Sequence, residues 1–164
     1  MRESKMSEIF DCVPEIDYGS GYRYFLGNVQ NYSQALLSIL KSIKSKQSIM
    51  NMMLQTGEYA GLRSIAQTLQ KMFGNIGAFG LAEASYQLER SLLNDEIIRK
   101  PELFTDYLES LIIFSDHLEL LFKNMNLKNR NDLEEEDSSY FNYDFTKTKD
   151  SIKRSSDLLE RKIL

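Results

Sequence analysis

At 164 residues, with 42% hydrophobic and 27% charged side chains, the chain is long enough to bury one real core and too rich in apolar residues for disorder throughout. A net charge of -4 and a pI near 5.1, with no basic cluster longer than a residue or two, argue against nucleic acid as the main partner. Cys12 is the single cysteine, which excludes an internal disulfide and a thiolate metal cluster and fits a reducing compartment.

No apolar run approaches the ~20 residues that span a bilayer, and MRESKMSEIFDC lacks the apolar centre of a signal peptide, so the expectation is a cytoplasmic protein away from membranes. Two prolines and the lack of any strand run or Asn-Gly hairpin signal predict an all-α chain. Residues 1–16 mix charge with isolated Ile9, Phe10 and Val13, and Pro14 interrupts any helix there; they are expected to form an arm packed on the main domain. Asp17 to Leu26, with Tyr22, Tyr24 and Phe25, predicts a short helix ended by Gly27.

Asn28 is the expected cap of a long helix whose apolar stripe runs Val29, Tyr32, Leu36, Leu37, Leu40, Ile43, Met50, Met53, Leu54, until Thr56-Gly57 ends it. The Met50, Met52, Met53 cluster reads as core packing in preference to a pliable binding surface, and Lys41, Lys44 and Lys46 as a solvated face. The next helix, Glu58 to Ala78, carries Leu62, Ile65, Ala66, Leu69, Met72, Phe73 and Ile76 at steps of three and four. Gly77 closes it, and a helical hairpin follows.

Its other face carries Arg63, Gln67, Gln70, Lys71 and Gly74 on successive turns. A mid-helix glycine costs roughly 1 kcal/mol against alanine. Two readings of Gly74 stand side by side: a place where something approaches the backbone, or a loose spot near the helix end. Leu81, Ala84, Ser85, Leu88, Leu92 and Leu93 mark a further helix to about Asn94-Asp95, and a short loop leads to Pro101. A last long helix runs to Asn126 through Phe104, Tyr107, Leu108, Leu111, Ile112, Ser115, Leu118, Leu121, Phe122 and Met125. Four long amphipathic segments with short connections predict an antiparallel four-helix bundle over residues 17–126.

Residues 127–164 form a separate extension: an acidic run around Glu134 to Asp137, then Tyr140, Phe141 and Tyr143, then a short helical pattern with Ile152, Leu159 and Ile163 on one side. This pattern fits docking back on the chain or pairing with another chain. His117, the only histidine, lies off the apolar stripe beside Asp116 and reads as a boundary residue touching solvent. No metal site, cofactor or catalytic arrangement of nucleophile and base is expected.

AQTLQKMFGNIGA resembles the signature of histidine-containing phosphotransfer (HPt) domains, Ala-His-x-Leu-Lys-Gly followed by Gly-Asn-x-Gly-Ala, and the likeness extends over about Asp17 to Met125, including GYRYFLGN. The resemblance puts Gln67 in the place of the phosphoacceptor histidine, Gln70 in that of a lysine and Lys71 in that of a glycine, while Gly74, Asn75 and Gly77 match. A carboxamide is not a nucleophile. The resemblance therefore implies a degenerate, non-catalytic member of two-component or phosphorelay signalling. Its implied partner is a response-regulator receiver domain or a histidine kinase, met by Arg63, Gln67, Gln70, Lys71 and Gly74. The alternative is an HPt-fold scaffolding or dimerisation module for an unrelated partner, part of a larger sensor; the oligomeric state is left open.

Overall fold

The computed structural model describes residues 2–132, with side chains described for residues 5–126; the expected acidic and aromatic linker and terminal helical pattern lie outside the described residues, apart from the linker's first turns. These residues are all-helical: α1 Arg2–Phe10, α2 Tyr18–Tyr24, α3 Val29–Thr56, α4 Tyr59–Ile76, α5 Phe79–Leu93, α6 Glu96–Arg99 and α7 Glu102–Asp132. No helix among them is long and apolar enough to cross a membrane.

Local chemistry sets the boundaries. The Asp17 carboxylate accepts from the Ser20 amide at 3.0 Å to open α2, and the Asn28 side chain accepts from the Asn31 amide at 2.9 Å to open α3. Gly57 and Gly77 adopt left-handed φ of 74° and 86° at the ends of α3 and α4. Three elements differ from the sequence expectation. The arm contains α1, because Pro14 falls beyond the end of that helix and so blocks none of its hydrogen bonds. The connection before Pro101 is the short helix α6, with Ile97 buried beneath it. The last helix continues past residue 126 to Asp132.

One core joins the helices. From α4 it takes Leu62, Ala66, Leu69, Phe73 and Ile76, while Ile65 and Met72 from the expected stripe are only half-buried. On α7 the buried stripe is Phe104, Tyr107, Leu111, Phe114, Leu118, Leu121 and Met125 at alternating steps of three and four. Ile112 is 46% exposed, and Phe114 is buried in its stead, edge-on to Phe73 at 5.7 Å. α3 likewise buries Ile39, which the expected stripe omitted. Each such side chain contributes roughly 1.5–3 kcal/mol on burial. The N-terminal segment adds Phe10, Val13 and Ile16, and Phe10 stacks on Tyr32 at 5.6 Å.

The ends of α2 and α4 meet with no space to spare. The Tyr32 hydroxyl donates to the Ile76 carbonyl at 2.8 Å, and the Asp17 amide donates to the Gly77 carbonyl at 2.9 Å. A Cβ on Gly21 would lie 2.3 Å from the Tyr32 hydroxyl, and one on Gly77 would lie 2.3 Å from the Asp17 carbonyl. Burial pushes the Tyr32 phenol far above the ordinary tyrosine range. Between α5 and α7, the Ser85 hydroxyl donates to the Leu81 carbonyl at 2.8 Å and lies 2.7 Å from the Tyr107 hydroxyl. Burial lifts the Tyr107 phenol to about 12.

Candidate functional site on the outward flank of α4

The core residues of α4 fix its rotation, and the polar strip follows from that phase. Gln67 and Lys71 are exposed, whereas Arg63, Gln70 and Gly74 are half-buried. The five lie on consecutive turns, as their spacing predicts. The Gln67 amide nitrogen donates to Glu89 Oε1 of α5 at 2.6 Å, a charge-assisted contact. Gln67 and Glu89 stand at nearly equal distances from the Gly77-Ala78 turn, so this bond also marks α4 and α5 as the two arms of a hairpin.

Neither Arg63 nor Lys71 has an ion-pair partner among the described residues, which leaves two cations on either side of Gln67. A Cβ on Gly74 would meet nothing within 4 Å. No described part of the chain therefore requires glycine there, and the bare backbone forms a notch one turn beyond Lys71. Near the turn, Phe79 is 54% exposed. On α5, Arg90 bonds the Tyr86 hydroxyl at 3.2 Å and lies over its ring, 5.8 Å from the centroid.

Sequence reasoning missed Glu89. Its one signal is position: Ala82, Tyr86, Glu89 and Leu93 follow helical spacing along one edge of α5, beside its buried stripe. The Lys41, Lys44, Lys46 face also needs correction, since Lys44 is half-buried and pairs with Glu119 of α7. In the methionine cluster Met50 is fully buried, Met53 is half-buried and Met52 is 39% exposed.

His117 is half-buried, with Nδ1 2.7 Å from Glu15 Oε1, so it ties the segment between α1 and α2 to α7. The Asn124 amide adds a weak contact to the Cys12 sulfur at 3.8 Å. Among the described residues, no group of three or more His, Cys, Asp or Glu is placed to hold a metal ion. On this flank the chain presents an amide, two cations and one glycine with open space beside it, and no nucleophile among them. No known protein family, curated protein or solved structure matches the chain.

Proposed function

We propose that this chain is a non-catalytic, HPt-like protein that binds a receiver domain of a response regulator and exchanges no phosphoryl group with it. In this reading α3, α4, α5 and α7 form an antiparallel four-helix bundle, and α2 closes one end. The observation that carries the reading is the outward flank of α4: Gln67 sits between the unpaired Arg63 and Lys71, beside the Gly74 notch. Gln67 supplies no nucleophilic nitrogen, and its amide is engaged by Glu89. Lys71 is free to pair with an acidic group of a receiver pocket, a contact between charged partners that is worth about 1.5–3 kcal/mol. Regulation would then work by occupancy.

The test is calorimetric titration of the purified protein with the receiver domains of its own organism, with and without a beryllofluoride adduct on each receiver. Binding of one receiver, weakened tenfold or more by Lys71→Glu, is the expected result. If every receiver, and every histidine kinase tried in the same way, fails to bind at high micromolar concentration, the reading fails and the likeness is one of sequence pattern alone.

A further inference from the structure

On α5, large side chains recur every two turns along the edge that also carries Glu89: Phe79, Tyr86 and Leu93. Phe79 and Leu93 are 54% and 58% exposed, and Tyr86 is half-buried. Between them on the same edge stand Ala82 and Glu89, both half-buried, and the Glu89 carboxylate is already held by Gln67. This edge is therefore an apolar stripe with one polar member, and no described helix covers its two ends.

The stripe is also symmetric. Phe79 and Leu93 stand seven residues to either side of Tyr86. Beside the stripe, on the side away from Glu89, lie Glu83 and Arg90, which share a face because they too are seven residues apart. Both are exposed, and neither has an ion-pair partner among the described residues. Within the chain Glu83 accepts only from Gln87, at 2.7 Å, and Arg90 donates to the Tyr86 hydroxyl.

A pattern of this kind complements itself. A two-fold axis perpendicular to two antiparallel helices keeps the same side of the seam uppermost in both copies, so residues beside the stripe meet residues beside the stripe. With the axis next to Tyr86, Phe79 of each copy falls against Leu93 of the other, and Glu83 of each against Arg90 of the other. One registry thus covers both exposed apolar ends and pairs both unpaired charges, and charges flanking a helical seam are what fix its orientation and register.

We propose that two copies of this chain pair through α5, antiparallel about a two-fold axis beside Tyr86. The seam from Phe79 to Leu93 is about 21 Å long. The pairing does not depend on a receiver as partner, since it uses α5 and neither Arg63 nor Lys71.

The test is sedimentation equilibrium of the full chain from low to high micromolar concentration, with circular dichroism of each variant as a check on folding. A monomer–dimer equilibrium is expected. Arg90→Glu and Glu83→Arg should each weaken it tenfold or more, because like charges then meet at both ends of the seam. The double variant Glu83→Arg, Arg90→Glu should restore it to near the parent value. A chain that stays monomeric throughout would overturn the proposal. So would a dimer that the single reversals leave unchanged, or one that the double reversal fails to restore.

Discussion

Two glycines on one helix respond to different constraints. Gly74 has helical backbone and open space where a Cβ would be, whereas Gly77 has a φ of 86° and the Asp17 carbonyl 2.3 Å from that position. Gly74→Ala should therefore stabilise the protein by about 0.5–1 kcal/mol. Gly77→Ala should destabilise it by roughly 3 kcal/mol, combining left-handed strain with a clash against backbone. Urea unfolding of both variants checks the opposite signs. If a partner uses the notch, Gly74→Ala will also weaken its binding while the fold gains stability, which separates a contact role from a loose helix end. At Gln67 the chemistry itself can be tested. On the HPt-like reading proposed above, Gln67→His alone should not accept phosphate efficiently from a phosphorylated receiver, because Gln70 and Lys71 remain; Gln67→His with Gln70→Lys and Lys71→Gly is the combination that tests whether transfer is restored. A radiolabel assay in which the single variant labels as well as the triple one would remove Lys71 as an obstacle.

For the helices, what decides is phase. Ile112, Ile113 and Phe114 are three consecutive apolar residues in α7, and composition cannot say which of them faces inward; the alternating steps from Phe104 to Met125 select Phe114. Phe114→Ala should cost about 3–5 kcal/mol, whereas Ile112→Ala should change stability by no more than ~0.5 kcal/mol, again measured by urea unfolding. The major helices and the strip on α4 were legible because each is a pattern within one segment, written by spacing. α1 was hidden because charged residues dilute its apolar face, and Pro14 looked like an obstacle although it lies outside the helix. Gln67–Glu89, Lys44–Glu119 and Glu15–His117 were not legible, since each joins positions 22, 75 and 102 residues apart that periodicity does not connect. Ile39 shows the same limit at close range: it neighbours Leu40, and tertiary packing buries both.

Across the whole molecule, the buried phenols set an alkaline limit. Tyr32 and Tyr107 hold their protons in the folded chain well above the point at which an unfolded tyrosine, with a pKa of about 10, releases its own. Above that pH the unfolded chain binds fewer protons than the folded one, so stability falls as pH rises. The loss from the two groups should reach on the order of 2–3 kcal/mol by pH 11, and Tyr107→Phe should remove about half of the pH dependence in an unfolding series from pH 8 to 11. On the acid side, the Ser20 amide and hydroxyl hold the Asp17 carboxyl below its usual range. That small contribution is present above the unfolded value near 3.9 and fades as pH drops through the lower folded value. The junction of Gly21, Tyr32 and Gly77 also determines how such a chain can diverge in descent. A side chain at Gly21 would clash with Tyr32 and the Ile76 carbonyl, and one at Gly77 with the Asp17 carbonyl, while Gln67 is exposed on the flank of α4. Side-chain changes at position 67 therefore leave this junction intact, whereas the end of α4 is where substitution is least tolerated.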